Sequence, residues 1–532
     1  MKNSKITKVL SIMVVSLLVV AMLTSCTSKQ PSQQPSTTAE GTASTTTAEP
    51  AKTEPTELSL FINLTWYWTD QWTGIIPEAL EEKTGVRFNV TRATDNKQLG
   101  LMIASDDLPD VVYTDVDLNR LSDAKYCYDY DDLIAKYTPD WKPGETQVMI
   151  ARTKSSDGKF YYIPNEVASA EEWRNAKAGA PTFASLCLRQ DIMEALGNPA
   201  LNNMDDLMNI YGQVKAKYPD MVPVVLDPDW KSTFFENQLG VPMYYPTGLP
   251  LYKTDAGELK YITEHPKYES YLQYMNKLYQ NGYVTAENFA FKNSSESEAF
   301  VTSGKAFSYA HCGNNSVKLT NMGQAADPNT KWAAVNPKLG GDNVRLISSG
   351  TGWCGTFITR KNKNPEAMMK MLQFLYTLEG QRLSQWGREG IEWTMGDDGL
   401  PKFNDDWVSA SLDQDVFYSK YNPAFFFGIT PTVEAEGRAL HDTEEVKAYN
   451  AKVRELVEIQ PELNLSLPAA DTDANTILTK LENMRQTEEV KCILSASDGE
   501  FKTNFDNLIK QTKTIGVDTI NSELNANMAK LK

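Results

Sequence analysis

Histidine is scarce in this sequence, and cysteine never occurs in a metal-binding spacing. The only histidines among the 532 residues are His265, His311 and His441, and no two of them form an H-x-x-x-H pair. The six cysteines include no C-x-x-C motif, which argues against zinc coordination. A histidine-based catalytic triad would need one of three isolated residues by chance. We therefore expect no metal and no cofactor, and buried free thiols after Cys26, with a single disulfide bridge as the alternative.

Positive charge is also in short supply. The chain carries 52 lysines and arginines against 69 aspartates and glutamates, a formal net charge of −17. Residues 1–25 contain three lysines and no acidic residue, so the charge without them is −20. An acidic surface argues against nucleic acid and anionic lipid as binding partners. No run of 18 or more apolar residues occurs beyond residue 25, so we expect that the rest of the chain does not span a membrane.

The first 26 residues have the order of a secretory signal. Lys2, Lys5 and Lys8 precede residues 9–23, which are apolar except for two serines. This stretch is shorter than the roughly 20 residues of a spanning helix, so residues 1–25 are predicted to be a signal peptide. The L-T-S-C order that ends at Cys26 resembles the lipobox of bacterial lipoproteins, which implies that the sulfur of Cys26 carries lipid, including palmitate. The alternative is an ordinary signal peptide followed by a chance cysteine.

The segment after Cys26 has the composition of a flexible linker. Residues 27–56 contain only Ser, Thr, Gln, Pro, Ala, Gly, Lys and Glu. Without large apolar side chains this segment cannot offset the entropy of ordering, so 26–56 is predicted to tether the folded part. Residues 57–532 are too many for one core and suit two large lobes.

Strands and helices alternate along most of the remaining chain. Strands are predicted at 58–62, 86–90 and 111–113 with helices between them, which indicates a parallel sheet with covering helices. The same alternation continues, and residues 204–218 form a strongly amphipathic predicted helix. Two or three helices are expected at the C-terminus. The fold class is therefore α/β.

Five short motifs carry a resemblance to a known family. They are D-D-L-P-D-V-V at 106–112, D-G-K-F-Y-Y-I-P at 157–164, L-R-Q-D with L-G at 188–197, F-V-T-S-G-K-A at 300–306, and residues 358–380 followed by E-G-I-E-W at 389–393. In this order they resemble the extracellular solute-binding lipoproteins of bacterial ABC importers, in the family that captures oligosaccharides. The resemblance runs from about residue 57 to the C-terminus. The chain is similar to the alginate-oligosaccharide binders, which implies an acidic or plant-derived sugar.

This resemblance implies a two-lobed fold of the type II periplasmic-binding-protein kind, with parallel-rich sheets, covering helices and a ligand cleft between the lobes. We expect lobe 1 to contain residues 57–165 and 345–385, and lobe 2 to contain residues 166–344 and 386–532 with the C-terminal helices. Closure of the lobes around a sugar would give a shape that a permease can distinguish. The implied partners are an oligosaccharide, ABC transporter permease subunits and, through the lipid anchor, the cell membrane. We expect an extracytoplasmic monomer.

One departure from the alginate binders concerns calcium. Those relatives carry a calcium loop rich in Asp and Asn after the helix that corresponds to residues 204–217. Here residues 218–224 read Y-P-D-M-V-P-V, which supplies too few oxygen ligands for calcium. We expect that this calcium site is absent.

Tryptophan is abundant, with 11 residues, alongside 24 tyrosines. Flat aromatic side chains stack on the apolar faces of sugar rings, while carboxylates, amides and arginines bind the hydroxyl edges. The first three candidates follow the first strand, at the edge where open α/β sheets bind ligands. Each candidate could instead be a packing residue. The candidate ligand-binding residues are Trp66, Trp68, Trp72, Trp173, Trp230, Trp353 and Trp393.

Other functions fit parts of the sequence. A peptide binder or another small-solute binder would share the fold, although the tryptophan content favours sugar. A sensor lipoprotein that feeds a membrane kinase would carry the same lobes. A secreted glycoside hydrolase needs two carboxylates about 5–10 Å apart, but among 69 acidic residues such pairs are inevitable. No hydrolase motif is present, so the sequence favours binding without catalysis.

Overall fold

The computed structural model describes residues 54–65, 67–95, 97–243, 250–423, 430–469 and 472–531. The predicted signal peptide, Cys26, most of the predicted linker and Trp66 lie outside the described residues. No helix in the described part of the chain combines the length and apolar character that a membrane crossing requires.

The strands are short, and most belong to two sheets. They are β1 Thr56–Ile62, β2 Val86–Arg92, β3 Val111–Thr114, β4 Tyr162–Pro164, β5 Ala184–Arg189, β6 Val222–Leu226, β7 Leu251–Lys253, β8 Leu259–Tyr261, β9 Ala306–Cys312, β10 Trp332–Ala334, β11 Leu346–Ser348, β12 Gly355–Ile358, β13 Trp393–Met395, β14 Pro401–Phe403 and β15 Val457–Ile459.

Helices cover the sheets and form the C-terminal part. They are α1 Ile75–Thr84, α2 Gln98–Ser105, α3 Leu118–Leu121, α4 Tyr130–Tyr137, α5 Glu145–Lys154, α6 Ala170–Asn175, α7 Gln190–Ala195, α8 Met204–Lys217, α9 Thr233–Gln238, α10 Tyr268–Gln280, α11 Ser294–Phe300, α12 Ser316–Gln324, α13 Pro365–Leu375, α14 Leu378–Trp386, α15 Asp405–Ala410, α16 Gln414–Lys420, α17 Pro431–Arg438, α18 Glu444–Leu456, α19 Glu462–Leu465, α20 Asp473–Ile493, α21 Asp498–Ile515 and α22 Val517–Lys530.

The first sheet has the strand order β2-β1-β3-β12-β4. Strand β1 pairs in parallel with both β2 and β3, because α1 and α2 return the chain to the same edge each time. Gly85 ends α1 with a left-handed φ of 68° and leads directly into β2. Strand β12 runs antiparallel between β3 and β4. The predicted parallel start and the α/β class are confirmed.

The second sheet has the order β10-β5-β9-β6. Strands β6 and β9 are parallel, whereas β5 is antiparallel to both β9 and β10. Helix α8 lies at the predicted position and buries Leu207, Ile210, Tyr211 and Val214 on one face. Three helices, α20 to α22, end the described chain. The prediction of two or three C-terminal helices is therefore confirmed, with three present.

Each sheet has its own apolar core, as expected for a two-lobed protein. The first core contains Phe61, Tyr113 and Phe357. The second core is built around residues such as Leu186 and Phe307, together with side chains of α10 and α21. The five cysteines of the described chain are free; Cys312 is half-buried and the other four are buried.

Two crossing segments connect the regions of the two sheets and run side by side. An antiparallel bridge joins Val167, after β4, to Thr351, before β12. Gly350 and Gly352 adopt left-handed φ angles of 62° and 68°. A Cβ at Gly352 would lie 1.7 Å from the carbonyl oxygen of Asn165, so only glycine permits this close approach. The glycine-rich sequence before β12 is therefore explained by backbone packing between the crossings.

The segment after α14 packs against the first core. Trp407 and Tyr421 belong to that core, and Nδ2 of Asn422 donates hydrogen bonds to the carbonyl oxygens of Gln71 and Thr73, both at 2.9 Å. The expected lobe boundaries stay a prediction. This packing favours assigning the chain up to about residue 422 to lobe 1.

Candidate functional site

A cavity of about 490 Å³ lies where the two crossing segments meet helix α17. It takes residues from the chain after β1, from α6, from the loop after β9 and from α17 and α18, so both sheet regions contribute to its walls. Its aromatic lining consists of Trp68, Trp173, Phe183, Trp353 and Tyr449, and its polar lining includes Glu166, Asn314, Glu434, Arg438, Asp442 and Asn450.

Trp68 contributes a wall next to the first sheet. It follows β1 and is stacked between Tyr67 and Tyr418, with ring centroids 4.2 Å apart on each side. The interplanar angles are 24° and 23°, so the three rings form a nearly parallel stack. This packing fixes the orientation of the Trp68 ring at the cavity.

Trp353 is held by the neighbouring crossing segment. The Oδ1 atom of Asn165 accepts the backbone N–H groups of Trp353 and Cys354 at 3.3 and 2.8 Å. Nδ2 of Asn165 donates to the hydroxyl of Tyr113 at 2.9 Å, and the Tyr113 ring meets Trp353 edge-on at 6.4 Å. The indole also hydrogen-bonds to Glu166. Trp353 is therefore preorganised before any ligand binds.

Trp173 contributes to another part of the lining from the short helix α6. Ser169 and Glu172 form a capping box at the start of this helix. Trp173 is 7% exposed and packs in a small cluster with Phe183 and Val453. Only a small part of its surface reaches the cavity.

Three charged groups of the cavity, Glu166, Glu434 and Arg438, form one connected network. Glu434 and Arg438 are one turn apart on α17 and make an ion pair of 2.6 Å. The Arg438 side chain is 66% exposed against 12% for Glu434, and both residues line the cavity. Glu434 is also the main cause of a raised pKa for Arg438, which hydrogen-bonds to Tyr418. The network therefore reaches the aromatic stack of Trp68.

Glu166 occupies an unusual position in this network. Its φ of 50° places a non-glycine residue in the left-handed region, a conformation that costs free energy and that proteins retain mainly at functional sites. Burial, followed by the nearby Glu434 carboxylate, raises the pKa of Glu166 to about 7. Its hydrogen bond with Trp353 and the charge of Arg438 act in the opposite direction.

A second cavity of about 470 Å³ lies on the other side of the ion pair. Glu434 and Arg438 line both cavities, and the second one is walled by Trp407, Phe417 and Tyr418. The Oγ atom of Ser411 and Nε2 of His441, both at this cavity, are 2.8 Å apart.

Three of the seven candidate tryptophans line the first cavity, and three lie in packed cores. Trp72 contacts Phe88 edge-on at 5.0 Å within the first core. Trp230 is 6% exposed in the second core. Trp393 is 2% exposed, and its Nε1–H donates to the carbonyl oxygen of Gly387 at 3.0 Å. These three side chains turn toward apolar packing partners, so the structure removes them from the candidate set.

Sequence reasoning missed the charged part of the site. Glu434 and Arg438 form an E-x-x-x-R pair on a helix that begins with Pro431, and this spacing predicts an ion pair on one helix face. Nothing in the sequence placed that helix at the cleft. Glu166 lies two residues after the D-G-K-F-Y-Y-I-P motif that ends at Pro164, and its position just beyond this motif was the available signal.

No group of His, Cys, Asp and Glu in the described ranges is arranged to hold a metal ion. Where the alginate binders are expected to carry calcium, residues 218–221 form a turn that leads into β6. The hydrogen bonds of this turn are local: the N–H of Met221 donates to the carbonyl oxygen of Tyr218 at 3.0 Å.

Residues 76–388 match a protein family described as bacterial extracellular solute-binding protein. This match covers more than half of the 532-residue chain. Among curated proteins, no sequence matches the chain.

Solved structures of solute-binding proteins have the same fold. The alginate-binding protein AlgQ2 without calcium is 17% identical, with a TM-score of 0.63 over 90% of this chain and 98% of that one. An extracellular solute-binding protein from Bifidobacterium longum subsp. infantis is 16% identical, with a TM-score of 0.65 over 90% and 99%. The N-glycan transport solute-binding protein NgtS from Streptococcus pneumoniae is 15% identical, with a TM-score of 0.55 over 90% and 99%. At these identities the likeness shows the fold.

Proposed function

Because the chain belongs to the bacterial extracellular solute-binding protein family, we propose that it captures an oligosaccharide outside the cell and delivers it to the permease of an ABC transporter. The protein acts as a monomer, held at the cell membrane by lipid on Cys26 and by the linker 26–56. It binds its ligand without altering it. Structural neighbours named for alginate binding and for N-glycan transport support a sugar as the ligand.

The observation that carries this proposal is the convergence of Trp68, Trp173 and Trp353 on one cavity that also contains an ion pair. A sugar ring needs a flat apolar surface for its C–H face and charged or amide groups for its hydroxyls. The cavity offers both, and its volume of about 490 Å³ lies within the usual range for ligand pockets.

The crossing segments support closure of the two lobes on the ligand. The two segments that meet at Val167 and Thr351 each carry a residue of the cavity, Glu166 on one and Trp353 on the other. A change in the relative position of the lobes would therefore change the cavity directly. We propose that a closed, loaded form is what the permease recognises.

A thermal-shift and calorimetric screen over mannan, xylan, pectin and uronate fragments tests the proposal. A ligand that binds only the folded protein raises the melting temperature by mass action. We expect at least one saccharide to do so. If none does while a peptide library does, the ligand is a peptide and the sugar assignment is wrong.

One observation favours a glycoside hydrolase as the second candidate. Glu166 and Glu434 interact within the cavity, and the pKa of Glu166 is raised to about 7, which is the pattern of a general acid beside a second carboxylate. Against this, Glu434 forms an ion pair with Arg438, and Glu166 forms a hydrogen bond with the Trp353 indole. Incubating the protein with each saccharide that binds should give no new reducing ends. If the unaltered protein releases new reducing ends and the Glu166→Gln variant does not, hydrolysis is established.

The anchor has its own test. In a cell envelope fraction, the unaltered chain should be found with the membrane, and Cys26→Ser should release it or block its processing. Equal membrane association of both proteins would refute the lipid anchor without affecting the ligand assignment.

A further inference from the structure

The first cavity contains an excess of negative charge. Of the described residues that line it, Glu166, Glu434 and Asp442 carry carboxylates, whereas Arg438 is the only side chain with a permanent positive charge. Asp442 receives a hydrogen bond from Asn450 at 3.2 Å. The charge of Lys447 acts on this carboxylate, but the Lys447 ammonium makes its ion pair with Glu444 at 2.8 Å and does not line the cavity. The cavity therefore carries one or two uncompensated negative charges, depending on the protonation of Glu166.

Arg438 is already engaged by the protein. Its Nη2 atom lies 2.6 Å from the Glu434 carboxylate, and Tyr418 makes a further hydrogen bond to the guanidinium. Recognition of a sugar carboxylate by arginine normally uses two parallel hydrogen bonds from one free edge of the guanidinium. An acidic sugar would compete with Glu434 for these donors.

Carboxylates that line a cavity suit a different kind of ligand. Their oxygens accept hydrogen bonds from sugar hydroxyl groups, and such charge-assisted hydrogen bonds are strong. A ligand carboxylate near the same oxygens would meet like charge in a partly desolvated space, where repulsion at a few ångströms is large. The aromatic walls recognise neutral and acidic rings equally, so the charged groups decide between them.

We infer that the cleft selects a neutral oligosaccharide and discriminates against sugars that carry uronate groups. This inference rests on the proposed function and specifies its substrate class. It departs from the acidic ligand that the resemblance to alginate binders implies.

The test compares two oligosaccharides that differ only in the group at C6. Dissociation constants are measured by calorimetry, at low and at physiological ionic strength, for the tightest neutral hexose oligosaccharide and for the same oligosaccharide oxidised at C6 to the uronate. We expect the uronate to bind at least about tenfold more weakly, with the difference reduced by salt. A uronate that binds as tightly as the neutral oligosaccharide, or more tightly, would overturn the inference.

Charge variants on α17 assign the selectivity to named groups. Glu434→Gln removes a negative charge and frees Arg438, so the ratio of the uronate to the neutral dissociation constant should fall toward one. Glu436→Gln is the matched control: it makes the same charge change on the same helix, but Glu436 lies on the opposite face, where its carboxylate accepts the N–H of Lys177 at 3.0 Å. The ratio should not change in the control. An unchanged ratio in folded Glu434→Gln would overturn the inference.

The sugar-binding function and the charge selectivity are contradicted by different results. If no saccharide of any charge binds, the sugar-binding function itself is wrong. If a neutral sugar binds but its uronate form binds equally well, the function stands and only the charge selectivity is wrong.

Discussion

Replacing Trp353 by alanine should weaken sugar binding strongly while leaving the fold intact. The indole lies between the edge of Tyr113 and the open cavity, so one ring face is available to a ligand. Covering roughly 60 Å² of that face contributes about 1.5 kcal/mol at 25 cal/mol/Å². The stacking geometry adds about 0.5–1.5 kcal/mol. Together these terms correspond to an increase of about 30- to 150-fold in the dissociation constant.

A short series of variants separates stacking from other effects. Trp353→Phe keeps an aromatic face but loses the indole hydrogen bond to Glu166, so its dissociation constant should lie between those of the unaltered protein and the alanine variant. Trp393→Phe is the control in a buried position. It loses the 3.0 Å hydrogen bond to Gly387, so it should lower the melting temperature and leave the affinity unchanged.

Calorimetric titration with the tightest saccharide of the screen measures all three variants. Circular dichroism and thermal unfolding establish that each one is folded. A folded Trp353→Ala protein with unchanged affinity would refute the assignment of Trp353 to the sugar site. A large loss of affinity in Trp393→Phe would show that the buried cluster acts on the ligand.

Three further predictions concern the stability of the chain. The folded-state pKa of Glu166 is raised from 4.5 to about 7, so its stabilising contribution is fully present below pH 4.5 and is lost as the pH rises through 7. Glu166→Gln should therefore change the melting temperature little at pH 4.5 and raise the free energy of unfolding by up to about 3 kcal/mol at pH 8. A variant equally affected at both pH values would contradict this. Arg485→Met should lower the free energy of unfolding by about 3–5 kcal/mol, because Arg485 is 4% exposed and pairs with two glutamates at 2.6 Å; Arg152→Met, at an exposed ion pair, is the control and should have little effect in urea titrations. Gly352→Ala should destabilise the protein far more than Gly158→Ala. Both glycines have left-handed φ, but only at Gly352 would the added methyl group lie 1.7 Å from a carbonyl oxygen. Equal melting temperatures of the two variants would show that the crossing segments can move apart without loss of stability.

Local patterns were enough to predict the elements that build the two sheets. The apolar run at β1, the left-handed stop at Gly85 and the one-sided apolar face of α8 each reflect short-range chemistry that the sequence displays directly. Such signals depend on neighbours within a few residues. They gave the α/β class and the order of strands and helices.

Local sequence patterns could not predict the direction in which individual side chains point. Trp68 and Trp72 both follow β1, but Trp68 reaches the cavity and Trp72 packs on Phe88. Four residues along an irregular segment can point anywhere, since neither helical nor strand periodicity applies. Trp353 was a candidate because it follows a glycine-rich stretch that leads to a strand, and glycines permit a close backbone approach.

The charged half of the site depends on a contact between distant parts of the chain. Helix α17 lies against α14, where Nε1–H of Trp386 donates to the carbonyl oxygen of Val433 at 2.9 Å. A Cβ at Gly437 would lie 2.6 Å from that same indole nitrogen, so the glycine allows the helix to approach. This contact positions Glu434 and Arg438 at the cavity, and no local pattern in the sequence predicts it.

The most direct test is a crystal structure of the protein with a saturating concentration of the tightest neutral oligosaccharide. We expect an intact sugar in the cavity, with a ring face on Trp353 and hydroxyl groups within hydrogen-bond distance of Glu434 and Arg438. A sugar bound elsewhere, with this cavity empty, would show that the cavity is not the binding site, and a sugar cleaved within it would show that the protein is a hydrolase.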